Sequence, residues 1–405
     1  MRLFFSAGEA SGDLHAANLI KALRARTPLQ ATGLGGPRMQ NAGCELLRDM
    51  SDLAVMGLVP ALVKLPQFFR LLAQVERAWD AQRPDAVVLI DFPGFHWHVA
   101  RKAKERGIPV YYYGLPQLWA WASWRVKKVQ KYVDHALCKL PFEEAWFRSR
   151  GCQATYVGHP YFDELRQYKL DSQFLAEQKR PSRLVTILPG SRTQEVHSNL
   201  PLLLKAAQQI KAQVPDVRFA IASYNEKQAA WARTLIAKTG APIEVLVGRT
   251  PELIASAECC LACSGSVSLE LLYHAKPTVI VYRASWLICQ IVRRMIQVRH
   301  ITLVNLLASP HPVDPPARAK AAWPAASNDD STIFPEFLTW RDYSTEVAAH
   351  AINWLKDEGQ RKSVVDRLVA LREEVANGGA SEAAADYIVR HELGSLQQPS
   401  FRRAS

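Results

Sequence analysis

Two stretches of this chain repeat one pattern: a short run of apolar, β-branched residues, then a segment with the period of a helix, then another apolar run. In the first stretch the runs are residues 3–6, 86–91 and 108–113, with helical segments at 13–26 and 96–104. The pattern restarts at 184–188, passes through a long helix at about 193–214, and continues with runs at 218–223 and 279–282. Strands that alternate with helices build parallel sheets, because parallel neighbours need a crossover connection. The expected fold class is therefore α/β, with two Rossmann-like doubly wound domains facing a cleft, and ligands at the carboxyl ends of the strands.

A chain of 405 residues has room for two such domains. The polar segment 162–182, which holds Pro181, is the expected linker. It divides an N-terminal domain over 1–175 from a C-terminal domain over 176–392, with a frayed tail over 393–405. Residues 309–326, rich in proline and alanine, read as a loop insertion, and 343–392 as closing helices.

Hydrophobic residues make up 48% and charged residues 22% of the chain, which excludes disorder for its bulk. Lysine and arginine exceed the acidic residues by 50 − 38 = 12. The excess favours an anionic partner: nucleic acid, a phospholipid surface or a phosphorylated metabolite. No aromatic RNP-like pattern or concentrated basic tail is present, so nucleic acid is not the expected one. Seven cysteines without a secretory h-region read as free thiols in a chain that stays in the cytoplasm. The longest uncharged run, 107–124, is broken by Pro109, Gly114 and Pro116 and makes a poor membrane span.

Two segments combine apolar and basic residues. Residues 59–79 carry Leu62, Val63, Leu65, Phe68, Phe69, Leu71, Leu72 and Val75 beside Lys64 and Arg70, with Pro66 expected to kink or divide the helix. Residues 283–300 set Trp286, Ile288, Ile291 and Ile296 among Arg283, Arg293, Arg294 and Arg299. Each fits a core-facing helix or, equally, an acyl-lined groove or an anionic membrane surface.

Four strand ends carry candidate chemistry. Gly8-Glu9-Ala10-Ser11-Gly12-Asp13-Leu14-His15 follows the first strand, where a glycine turn and a helix start favour close ligand approach and negative charge; Ser11 and Asp13 would equally serve as helix caps. The apolar run 86–90 delivers Asp91 to the carboxyl edge of a buried strand as a candidate general base, with helix capping as the plain alternative and His15 as the rival base. Pro189-Gly190-Ser191-Arg192 resembles a phosphate-receiving turn with one arginine. Ser264, Gly265 and Ser266 open another helix, with Glu270 a turn inside; a backbone cradle for a diphosphate and a carboxylate for ribose hydroxyls fit there, as does a simple serine cap. No metal or cofactor is expected: Cys260 and Cys263 have no second pair at zinc spacing, and no Asp-x-Asp follows a strand.

GEASGD at 8–13, Gly36-Pro37-Arg38-Met39, LAVMG at 53–57, Trp119-Ala120-Trp121, LPFE at 140–143, PGSR at 189–192 and Asn305-Leu306-Leu307 occur together and in order. In this combination the chain resembles the lipid-A-disaccharide synthase family from residue 3 to about 390. The resemblance implies a GT-B glycosyltransferase fold and an inverting, metal-independent condensation. UDP-2,3-diacylglucosamine and 2,3-diacylglucosamine 1-phosphate (lipid X) would give lipid A disaccharide 1-phosphate and UDP. It further implies peripheral association with the cytoplasmic side of the inner membrane and a homodimer with exchanged C-terminal segments. By position, Asp91 matches the family's essential aspartate, Arg192 its diphosphate-side arginine, Glu270 and Asn305 its nucleotide-side residues, and Glu9 and Ser11 its N-terminal catalytic loop. The chain departs from the family at Gly94 and His96 of Asp91-Phe92-Pro93-Gly94-Phe95-His96, at Ala122 after the Trp-Ala-Trp motif, and at Val304 before Asn305. A related GT-B sugar-nucleotide enzyme, with another acceptor or epimerase chemistry, is the alternative.

Overall fold

The computed structural model describes residues 1–50, 65–238, 242–313 and 332–396. The LAVMG motif, the start of the 59–79 segment, most of the 309–326 insertion and the tail beyond 396 lie outside these residues. The chain forms two compact units, one from Met1–Asp163 with the residues from Gly378 onward, the other from Glu164–Asn377.

In the first unit seven parallel strands make one sheet: β1 (Arg2–Ala7), β2 (Gln30–Gly35), β3 (Glu45–Asp49), β4 (Ala86–Ile90), β5 (Val110–Tyr113), β6 (His135–Cys138) and β7 (Ala154–Tyr156). Their spatial order is β3-β2-β1-β4-β5-β6-β7. The order reverses between β1 and β4, whose registers bring Ser6 opposite Leu89. All five residues of β4 are buried, as expected for a strand covered on both faces. The second unit repeats the plan with β8 (Arg183–Leu188), β9 (Val217–Ser223), β10 (Ile243–Val247), β11 (Cys259–Cys263), β12 (Thr278–Arg283) and β13 (Glu336–Thr339) in the order β10-β9-β8-β11-β12-β13. Here the reversal lies between β8 and β11. In such sheets ligands collect beyond the carboxyl ends of the strands at the reversal.

Three local expectations change. Helices Pro160–Gln167 and Ser172–Gln178 occupy most of the polar segment taken for a linker, because Asp171 caps the second through the Gln173 and Phe174 amides. Pro66 leaves the described helix Leu65–Ala81 unbroken from its second residue on, while the part of the segment before Leu65 lies outside the described residues. The closing helices are present at Ser344–Lys356, Glu358–Val375 and Ala380–Leu396. The last, however, belongs with the first unit. Its Ala384, Ala385 and Ile388 are buried in the cluster that holds Ala16, Ala17 and Ile20, and Asp163 caps its start through the amides of Gly379, Ala380 and Ser381.

Candidate functional site

The reversal in the first sheet places the loop after β1 beside the loop after β4. The two loops touch: a Cβ added to Gly8 would lie 2.2 Å from the Phe92 ring. Glu9 and Ser11 are exposed at this edge, whereas His15 is buried in the helix Ala10–Arg24. Neither Ser11 nor Asp13 caps that helix, whose cap residue Glu9 makes no side-chain bond. Asp13 instead serves the next helix, Pro37–Asn41. Its carboxylate accepts the amides of Gly36 (2.9 Å), Arg38 (3.0 Å) and Met39 (3.0 Å), tying the first motif to Gly36-Pro37-Arg38-Met39.

Asp91 and Phe92 have φ of 52° and 45°, two consecutive side-chain-bearing residues in the left-handed region. Such conformations persist only where the surroundings over-determine them, and they concentrate at functional sites. Here the Asp91 carbonyl accepts from the Tyr112 hydroxyl and from His96 Nδ1, both at 2.7 Å. Burial lowers the His96 pKa to about 4, so the ring is neutral near pH 7. With Nδ1 donating to a carbonyl, Nε2 is the acceptor of a hydrogen bond donated by the Ser6 hydroxyl at 2.9 Å. His96 is thus a brace for the Asp91 turn. Phe92 cannot cap the helix Pro93–Glu105, and Asp91 does not do so either.

The Asp91 carboxylate, 26% exposed, meets a partner that the sequence reading missed: Lys139 Nζ lies 3.0 Å from Oδ1. Burial lowers the Lys139 pKa, but Asp91 and Glu143 outweigh it and the net shift is upward, so the side chain stays an ammonium. His159 is held well below the ordinary histidine pKa by burial and by the nearby Lys139 and His15. Asp91, Lys139, His159 and His15 therefore form one neighbourhood.

In the second unit β8 leads into Gly190, Ser191 and Arg192, and the neighbouring β11 into Ser264, Gly265 and Ser266. Gly190 has φ 130°, and a Cβ there would sit 2.6 Å from that of Glu195. Glu195 fills the turn: it accepts the amides of Ser191 and Arg192 at 3.2 Å each and pairs with the Arg192 guanidinium at 2.9 Å. Arg192 is still 59% exposed. Neither expected serine cap forms: Ser266 makes no side-chain cap bond, and the Ser264 hydroxyl donates to the Ile301 carbonyl. Glu270 is buried in the helix Val267–Tyr273. Asn305 is wholly enclosed, donating to the Phe334 carbonyl and Glu336 while accepting the amides of Ile333 and Phe334. In this structure it braces the segment before β13 and offers no polar atom to a ligand.

The fold has solved counterparts. The Neisseria meningitidis UDP-GlcNAc 2-epimerase bound to UDP-GlcNAc superposes with a TM-score of 0.60 at 10% identity, covering 96% of this chain and all of that one. The calicheamicin glycosyltransferase CalG4 does so with a TM-score of 0.58 at 14% identity over 98% and 99%. Both fit the GT-B architecture, and at such identities they speak for fold alone. Sequence relatives decide the family. Lipid-A-disaccharide synthase of Syntrophus aciditrophicus is 33% identical over 94% of both chains, and that of Myxococcus xanthus 34% over 96% of this chain and 97% of its own. The family profile of lipid-A-disaccharide synthetase matches residues 3–327. The chain belongs to the lipid-A-disaccharide synthase family.

As a member of that family it is a glycosyltransferase of lipid A disaccharide synthesis. The synthase motifs also meet one another in space. Trp119 of the Trp-Ala-Trp motif donates its indole N–H to buried Glu143 of LPFE at 2.9 Å, and the second Glu143 oxygen accepts the amides of Lys139 and Leu140. That carboxylate fixes the turn from which Lys139 extends. Among the described residues no helix is long and apolar enough to cross a membrane. The helix Trp286–Met295 nevertheless exposes Trp286 (57%), Leu287 (61%), Ile288, Ile291 and Met295, and among its residues only Cys289 is fully buried.

Proposed function

We propose that the chain transfers the sugar of UDP-2,3-diacylglucosamine to the 6-hydroxyl of 2,3-diacylglucosamine 1-phosphate with inversion, and that Asp91 is the general base. The observation that carries the assignment is Asp91 itself: a strained, partly exposed carboxylate at the carboxyl edge of β4, where the first sheet reverses. The acceptor oxygen bonds to the anomeric carbon as its proton passes to Asp91. The bond from that carbon to the UDP oxygen breaks on the opposite face, and its electron pair leaves with the diphosphate. His15, enclosed in its helix, is less suited to meet a hydroxyl, and Glu9 and Ser11 at the exposed edge suit acceptor binding.

Arg192 and the turn at Gly190 and Ser191 receive the departing charge, Ser264, Gly265 and Ser266 flank them on the adjacent strand, and Glu270 reads the ribose. In this reading the diphosphate displaces Glu195 from the Ser191 and Arg192 amides. The exposed apolar helix Trp286–Met295, with Arg293 and Arg294 in its last turn, supports docking on the anionic cytoplasmic face of the inner membrane. The homodimer rests on the family resemblance, and light scattering of the purified chain measures it. The deciding experiment is UDP release from UDP-2,3-diacylglucosamine with and without lipid X, the lipid product being identified by mass. Release that depends on lipid X and yields the disaccharide supports the reading. UDP release without that product overturns the acceptor.

A further inference from the structure

We infer that Lys139 is the positioning residue of the reaction, aiming the Asp91 carboxylate outward from the strained turn after β4. The inference rests on the proposal that Asp91 is the base. Its evidence is a geometry spread over three neighbouring strands. Asp91 follows β4, Gly114 follows β5 and Lys139 follows β6, and these strands are adjacent in the sheet. Asp91 and Lys139 thus start two strand spacings apart, about 10 Å. Their side chains close that distance to 3.0 Å by passing over Gly114.

Glycine at 114 leaves the path open, where a side chain would crowd it. A Cβ at this position would sit 3.0 Å from Lys139 Cε and 3.1 Å from Asp91 Oδ1, and the backbone has φ 73°. The strand-end glycine and the cation therefore form one device. The device is also anchored from behind, because Glu143 takes the Lys139 amide and is itself held by Trp119. Nothing else in the described residues donates to the Asp91 carboxylate: Tyr112 and His96 are spent on its carbonyl.

The ammonium keeps its proton throughout. Asp91 gains the acceptor's proton and later releases it to water, so Lys139 exchanges nothing and acts through charge and aim. The groups facing the pair are Glu143 on the helix Pro141–Arg148, His159 after β7, His15 on the helix Ala10–Arg24, and Tyr112 and Tyr113 on β5. His159 and both tyrosines are held neutral near pH 7 by burial, leaving Lys139 as the cation in contact with Asp91.

The test uses the full chain carrying Lys139→Met, Lys139→Gln, Lys139→Arg or Asp91→Asn, with turnover measured over a range of both lipid substrates and folding checked by circular dichroism. For Lys139→Met and Lys139→Gln we expect kcat to fall about 30-fold with the acceptor KM within about 3-fold, the mark of an interaction used in the transition state and not in binding. Lys139→Arg restores most of the rate. Two neutral variants are included so that the split between kcat and KM can be read in whichever folds as the wild type does. A kcat within 2-fold of wild type in a folded neutral variant, or a loss that appears in the acceptor KM with kcat unchanged, overturns the inference. Full turnover by Asp91→Asn would instead reject Asp91 as the base, a separate result visible in the same series.

Discussion

Replacing Asp13 by alanine tests whether the aspartate of the first motif belongs to the scaffold or to the chemistry. Its carboxylate holds three amides at the start of the helix Pro37–Asn41, with the bonds to Gly36 and Met39 buried and the bond to Arg38 partly so. Stranding a buried donor costs about 1–3 kcal/mol, so the two buried amides alone put the loss near 4 kcal/mol. That is a large share of the roughly 5–15 kcal/mol that stabilises a typical domain. Asp13→Asn keeps the Oδ1 oxygen that serves Gly36 and Met39 and turns an amide toward the Arg38 N–H, which lowers the loss to about 1–2 kcal/mol. Urea unfolding followed by circular dichroism and tryptophan fluorescence measures both, with the two units free to show separate transitions. The order wild type, asparagine, alanine should appear in the transition that includes Trp79 and Trp119 of the first unit. If Asp13→Ala unfolds within about 1 kcal/mol of wild type and yet turns nothing over, the carboxylate acts on the substrate and the reasoning fails.

Gly114→Ala should lower kcat as the neutral Lys139 variants do, at a stability cost of about 1–2 kcal/mol for the left-handed backbone; turnover and melting temperature read the two effects apart. Glu336 is fully buried, and burial raises its pKa to about 7, against hydrogen bonds from Thr302, Ile301 and Asn305 that lower it. Between about pH 4.5 and 7 the folded chain then holds a proton that the unfolded chain has lost, so stability present below pH 4.5 drains away as pH rises through 7, by up to about 3 kcal/mol. Glu336→Gln should flatten that part of the stability curve, and equal slopes in the two proteins would refute the sign. Serine at Trp286, Leu287 and Ile291 together should weaken co-sedimentation with anionic vesicles and leave binding of UDP unchanged; unaltered sedimentation would remove this helix from the membrane contact.

Much of the scaffold is legible in the residues because parallel strands announce themselves. The run 86–90, apolar on both faces, could only be an interior strand, and the residue after it could only stand at the carboxyl edge. That logic places Asp91, Gly190 and Ser264 without a structure. It cannot find Lys139, because the pairing depends on β6 lying two strands from β4 and on a glycine between them, facts of the sheet order and not of any local window. Asp13 misleads for a similar reason: beside a helix start it looks like that helix's cap, while its partners are 23–26 residues away. The serines before Val267–Tyr273 have the right identity for caps, but the backbone there turns too early for their hydroxyls to reach the free amides. Asn305 carries the family's signature, and only its four enclosed hydrogen bonds reveal the bracing it performs.

The first unit takes its strands from the beginning of the chain and its last helix from the end, with 377 − 163 = 214 positions between the two parts. During synthesis at about 5–20 residues per second, the surface that receives Ala384, Ala385 and Ile388 waits about 10–40 seconds for them. Ala16, Ala17 and Ile20 are uncovered for that interval. The nascent sheet must therefore survive with one covering helix missing, and the ribosome finishes the second unit before the first can close. A chain cut after residue 377 would stay in that unfinished state permanently, with every strand of the first sheet made and an apolar face bare to its neighbours.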